Sequence, residues 1–151
     1  MNYWLMKSEP DAYSIDDLIN DTTTPWDGIR NYQARNFMRD KMQIGDRVLF
    51  YHSNCKPPGI VGIAEVCKLA YPDHTAWDPS SKYFDPKSSP DKPIWEMVDL
   101  KFIKKFKEKL SLDQIKTTPE LANMLVIKRG MRLSIQPVEK QDFEFIVTQQ
   151  A

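Results

Sequence analysis

Cysteine and histidine are both scarce in this sequence, with only Cys55, Cys67, His52 and His74 among 151 residues. None of them forms a CxxC or HxxxH spacing, so no metal site is expected. No apolar run approaches the roughly 20 residues needed to cross a bilayer, and no membrane partner is expected. The chain enters Tyr3-Trp4-Leu5-Met6 directly, with no basic n-region, which predicts no secretory signal. Without export the two cysteines are expected to be reduced and the protein cytoplasmic. Glycine is sparse as well, with five residues, and no glycine-rich loop of the phosphate-cradling kind is present. No Ser-His-Asp order appears either. An excess of one charge is also missing, because 21 basic residues cancel 21 acidic ones. A protein that coats long duplexes would carry a basic excess.

The zero balance hides an uneven distribution. Six acidic residues and no basic one lie between Glu9 and Asp27, whereas Arg30, Arg35, Arg39, Lys41 and Arg47 oppose only Asp40 and Asp46. Six lysines between Lys101 and Lys116 oppose Glu108 and Asp113 and read as a solvated strand end and loop. The arginine segment differs because it adjoins Trp26-Asp27-Gly28-Ile29-Arg30-Asn31-Tyr32-Gln33-Ala34-Arg35-Asn36. Guanidinium groups suit phosphates, and indole or phenol faces stack on bases. An amphipathic helix explains Ala34, Phe37 and Met38 but leaves Trp26, Asp27, Arg30 and Asn31 without a task. A site is the better reading.

Length predicts one domain, residues 1–151, with a single sizeable core. Residues 2–7 alternate as a short strand, and Ser14 caps a short helix carrying Ile15, Leu18 and Ile19. Residues 21–25 read as a loop delivering Trp26, followed by a helix over Tyr32–Asp40. Strands are predicted at 47–52 and 59–69, paired as a hairpin, with Gly62 at a bulge or close backbone approach. Residues 71–92, with Pro72, Pro79, Pro86 and Pro90, read as a long loop, and such loops are often functional. A third strand is predicted at 95–105. Ser111 and Thr118-Pro119 start helices, Leu133 and Ile135 form a strand, and Pro137 opens a final helix with Phe143, Ile146 and Val147 on one face. Trp4 and Trp95 are expected in the core, His52 as a satisfied strand histidine, and His74 exposed. The class is α+β.

Several motifs, in order, resemble the EVE domain family, a PUA-like branch related to YTH domains. They are Tyr3–Pro10, Trp26–Asn36, Gly45-Asp46 leading to Phe50–Asn54, Gly59–Val66, Ala70–Asp73, Tyr83–Ser88 and Arg132–Val138. Each is weak alone; together they span nearly the whole chain. The resemblance implies a PUA-like curled β-barrel with several short flanking helices. It also implies a pocket for a modified base or nucleotide in DNA or RNA. Separately, the protein is expected to be a monomer without a cofactor.

Such a pocket needs aromatic walls and hydrogen-bonding groups for the base edge. By motif, Lys7, Ser8 and Glu9 would lie beside it, with Trp26 and Asp27 as wall and edge. Asn31, Tyr32, Ser53 and Tyr83 are the further base-binding candidates, and Arg30 and Arg35 the phosphate ligands. Trp26, Glu9 and Ser53 are expected around one concavity. Glu9, an acceptor, would select a base amino group, while Lys7 would contact a phosphate or pair with Glu9 or Asp27. Two rivals remain. One is an amidohydrolase of the related ASCH type using Lys7, Ser8 and Glu9, which alternate in direction along a strand. The other is a protein-interaction module using the 71–92 loop. Binding without catalysis is the favoured reading.

Overall fold

Alternation along two strands, β1 (Tyr3–Ser8) and β3 (Arg47–His52), divides their side chains between two cores. In the computed structural model, which describes residues 1–150, Trp4, Met6, Val48 and Phe50 enter one core, and Leu5, Leu49 and Tyr51 the other. Successive strand residues face opposite ways, so two buried faces produce the near-continuous apolar run seen at 47–52. The first core is covered by α1 (Ile15–Asp21), α2 (Tyr32–Asn36) and the π turn Phe37–Lys41 that continues it. The second is covered by α3 (Leu112–Lys116), the turns Pro119–Leu121 and Leu125–Ile127, and α4 (Lys140–Gln149).

The six strands form one mixed sheet in the order β2-β5-β4-β3-β1-β6. Here β2 is Thr23–Pro25, β4 Gly59–Pro72, β5 Glu96–Ser111 and β6 Ile135–Val138. β1 and β3 run parallel and the other pairs antiparallel. Leu100 of β5 and Ile135 of the edge strand β6 nevertheless share one core. Trp26, next to the other edge β2, meets Phe50 of β3 edge-on with ring centroids 5.5 Å apart. In a flat sheet the two intervening strands would hold β2 and β3 about 14 Å apart. The sheet is therefore curled in the PUA-like manner, but it is not closed, because β2 and β6 do not pair. Gly62 serves the curl: it sits at a register shift in both β3–β4 and β4–β5 pairing, and a Cβ there would strike the Lys104 carbonyl.

Several elements depart from the sequence reading. β4 and β5 run on to Pro72 and Ser111, so most of the lysine cluster is strand. Residues 23–25, expected in a loop, form β2 against β5. The expected helix over 32–40 becomes one α-helical turn and a π turn, in which Met42 N–H bonds Phe37 O at 2.9 Å. Pro137 does not open a helix but sits in β6, opposite Trp4. Proline has no N–H for a ladder, and an edge strand tolerates it. The last helix begins after Glu139, with Phe143 and Ile146 buried as expected.

His52 ties a helix to the sheet. Ser14 and Asp17 form a capping box on α1, and the free Ile15 N–H donates to His52 Nε2 at 3.1 Å. Nε2 must be unprotonated to accept. Burial, reinforced by Lys109, holds the imidazole pKa below its ordinary value, with Asp16 opposing. The unfolded chain therefore takes up the proton first. Stability from this contact is complete above about pH 6.5 and is lost as the pH falls through the lower native value. Substituting His52→Gln keeps an acceptor without a titration. Its urea midpoint should fall less than wild type between about pH 7.5 and 5, and parallel curves would remove His52 from the pH response.

Candidate nucleic-acid interface

The seam left by the unclosed sheet contains a concavity of about 540 Å³. One bank is the end of β1, with Lys7, Ser8 and Glu9, together with Ser134 just before β6. The other is β2 and the chain leaving it, with Thr24, Pro25, Trp26, Asp27 and Gly28. Tyr83 and Lys82 of the 73–95 loop close a third side, and Ala12 and Tyr13 a fourth. The site thus lies between the edge strand β2 and the end of β1, where the chain has run past its pairing with the other edge strand, β6.

Trp26 is both core and wall. It is 7% exposed, packs on Phe50, and donates its backbone N–H to Val98 O at 2.7 Å. Asp27 follows it into the open. Partial burial, and then repulsion from Asp73, pushes the Asp27 carboxyl above its usual pKa, with Arg30 and His74 opposing. Glu9 stands at the rim and accepts a hydrogen bond from Asn54 Nδ2 at 2.9 Å. Ser8 Oγ donates to Tyr13 O at 2.6 Å, which fixes the bend after β1. Lys7 reaches neither Glu9 nor Asp27. Its ammonium lies 5.7 Å from the Tyr51 ring centroid, and burial lowers its pKa. Burial also pushes the Tyr13 hydroxyl up to about 12, where it donates to Asp21 at 2.8 Å.

Asp73 holds the third side in place. Its side chain is fully buried and gathers four donors. Gly28 N–H at 2.8 Å and Arg30 Nη1 at 3.0 Å come from the Trp26 segment, and Thr75 N–H at 2.9 Å and Thr75 Oγ1 at 2.6 Å from its own turn. Burial alone would raise this carboxyl, but the hydrogen bonds from Thr75, Gly28 and Arg30 hold it below the usual range. Arg30 also donates through Nε to Tyr83 O at 2.9 Å and through Nη2 to Thr75 Oγ1 at 3.2 Å. Tyr83 packs directly over Gly28, where a Cβ would lie 2.6 Å from the ring and the backbone φ is +81°. Only glycine suits that conformation and that contact.

Of the sequence candidates, Lys7, Ser8, Glu9, Trp26, Asp27 and Tyr83 line one concavity. Ser53 does not join Trp26 and Glu9 there; its N–H extends the β1–β3 pairing to Ser8 O at 3.0 Å. Asn31 caps α2, accepting from Ala34 N–H at 2.9 Å. Arg30 spends its guanidinium on Asp73 and neighbouring acceptors rather than facing the concavity. Arg35 donates to Ile94 O at 2.8 Å and to Asn36 Oδ1 at 2.8 and 3.1 Å. Its guanidinium lies 4.9 Å from the Tyr32 ring, and Tyr32 leans on Trp95 with centroids 4.8 Å apart. Tyr32 is thus an exposed outer stack beside the site, not part of its lining. Sequence reasoning missed Tyr13, Thr24, Lys82, Ser134 and the organising role of Asp73.

The EVE domain profile matches residues 2–149. The chain belongs to the EVE domain family. Thymocyte nuclear protein 1 of Rattus norvegicus is 45% identical, over 97% of this chain and 73% of that protein. The Homo sapiens protein of the same name is 43% identical, with the same coverage. Among solved structures, a hypothetical protein from Leishmania major superposes with a TM-score of 0.94 at 49% identity, covering 99% of this chain and 94% of that one. Human THYN1, in complex with DNA containing 5-methylcytosine, superposes at 0.91 with 42% identity, covering 99% and 98%. An ASCH protein of Zymomonas mobilis, at 0.59 and 11% identity, shares this EVE domain's fold alone. The expectation of a cytoplasmic protein is corrected by these relatives, whose name points to a nuclear protein instead.

The Asp73 cluster makes a direct prediction for this EVE domain. Asp73→Ala leaves Arg30, whose side chain is 22% exposed, without its partner. The loss should reach about 3 kcal/mol, the low end for a broken buried pair. Because the native carboxyl pKa is depressed, wild type has this contribution in full above about pH 4 and loses it as the pH falls through the native value. Urea unfolding of both proteins at neutral and acid pH checks this, and a gap that does not narrow in acid would refute the assignment.

Proposed function

We propose that this EVE domain binds DNA carrying a modified cytosine, without catalysis, by taking the single modified base into the seam between β2 and the end of β1. The observation that carries the reading is the pairing of aromatic walls, Trp26 and Tyr83, with two carboxylates, Glu9 and Asp27, around one concavity. Cytosine presents an N4 amino donor, which a carboxylate accepts, whereas thymine presents a carbonyl at the same place. The methyl group of 5-methylcytosine would gain apolar contact without disturbing that pairing. Support also comes from human THYN1, a 42% identical relative whose structure contains 5-methylcytosine DNA.

The internal bonds weigh against hydrolysis. An activated nucleophile needs a base within hydrogen-bond reach. The Ser8 hydroxyl instead donates to a backbone carbonyl, and the Lys7 ammonium lies against Tyr51.

Oligonucleotides identical except for 5-methylcytosine, cytosine or thymine at one position test the reading. Wild type should prefer 5-methylcytosine over cytosine by about fourfold, the worth of one buried methyl. Glu9→Gln should reduce discrimination against thymine by about 1–3 kcal/mol, with Asp27→Asn as the parallel variant. Unchanged selectivity in both would overturn the base-edge assignment, and equal binding of matched RNA would overturn the choice of DNA. Trp26→Ala is a poor probe because it would open the core at a cost of about 3–5 kcal/mol. Tyr83→Leu is the better test of the wall and should weaken all three ligands alike.

Salt dependence gives an independent check. Each phosphate contact adds about −0.9 to the slope of log affinity against log salt. With Arg30 and Arg35 bonded internally, the slope should be shallower than about −4, and a value typical of six or more contacts would contradict single-base capture.

A further inference from the structure

Away from the seam, β6, the turn Leu125–Ile127 and the start of α4 enclose a second cavity, of about 230 Å³. Met124, Leu125, Pro137 and Val138 supply apolar walls, while Glu139 and Asp142 bring two carboxylates. Asp142 is the unusual member. It is 3% exposed, yet its carboxylate takes part in no hydrogen bond or ion pair among the described residues. An ionised carboxylate buried without a partner is costly, so the absence of one needs a reason.

Three observations indicate what is missing. The one sealed side-chain polar atom without a hydrogen bond among the described residues is Arg47 Nη1, which faces Glu65 at 3.8 Å. The Asp142 oxygens are therefore reached from the cavity rather than closed off. Second, no basic side chain among the described residues supplies the counter-charge: the adjacent Lys140 pairs along the helix with Glu144 at 3.8 Å. Third, Glu139 uses Oε2 to accept from Gln141 at 2.9 Å, leaving its second oxygen without a protein donor. Burial and then the Glu139 charge push the Asp142 carboxyl above its ordinary pKa, the behaviour of an uncompensated acidic pair.

We infer that this cavity binds one primary ammonium on an aliphatic stem, its methylenes against Met124, Leu125 and Val138 and its N–H groups on Asp142 and Glu139. The volume lies below the roughly 300 Å³ at which pockets for drug-sized ligands begin, so it fits one side chain or a short alkylamine. An ammonium has three donors and no acceptor, which matches a site of carboxylate oxygens. The lysine side chain of a partner protein and a free alkylamine share this chemistry.

The test uses the full chain, isotope-labelled and followed by NMR, with n-butylammonium chloride as the probe. Sodium chloride controls for ionic strength, and n-butanol supplies the same shape without charge. Saturable shifts of the Leu125, Val138 and Asp142 amides are expected, at least about tenfold weaker with n-butanol and with Asp142→Asn, the cost of losing a charged partner. No saturation, or equal affinity for n-butanol, overturns the proposal. Should Asp142→Asn fail to fold, the contrast between the two probes on wild type decides alone. A blocked lysine, with its α-amine acetylated, its carboxyl amidated and its side-chain ammonium free, then separates the sources. Affinity matching n-butylammonium assigns the site to a partner's lysine, and exclusion of the blocked lysine assigns it to a free amine.

Discussion

The site depends on one buried carboxylate. Asp73 receives hydrogen bonds from Gly28 and Arg30 on one segment and from Thr75 on another. These bonds join the chain leaving β2 to the 73–95 loop, and so set Trp26 and Tyr83 on adjoining sides of one concavity. The charge is tolerated in the interior because four donors, one of them cationic, replace its water. Losing one of them weakens the tie between the loop and the Trp26 segment, and few loop residues between Asp78 and Lys92 are buried to compensate.

The fold was legible where periodicity is local. The apolar runs of β1, β3 and the first part of β4 are visible in the sequence, and the Ser14 and Ser111 caps mark helix starts that the structure retains. Elements fixed by distant partners were not legible. β2 is three residues long and exists because β5 offers it a ladder. Pro137 reads as a helix start until its edge position beside Trp4 is known. The π turn after α2 carries no residue that distinguishes it from a continuing helix.

The site divides along the same line. Trp26, Asp27 and Lys7–Glu9 were visible as dense local chemistry, and Tyr83 through the resemblance. The internal partners of the arginines were not legible for a physical reason: a guanidinium has five donors, and sequence does not reveal whether protein or ligand accepts them. Arg30 and Arg35 both prove to brace the loop and its flank. Asp73 sat in a recognised motif, and its bonds to Thr75 are local, but no local pattern marks the two partners, Gly28 and Arg30, that lie more than forty residues away.

Both faces of the sheet are occupied by cores, which has a consequence for how such a protein can change. There is no blank wall on which a new pocket could be carved without dismantling packing. On the proposed reading, the freedom to alter ligand choice lies at the seam, in Glu9, Asp27 and the 82–83 tip. There a substitution changes the chemistry presented to a ligand and leaves every strand in register. A family built this way can vary what it recognises while the interior stays as it is.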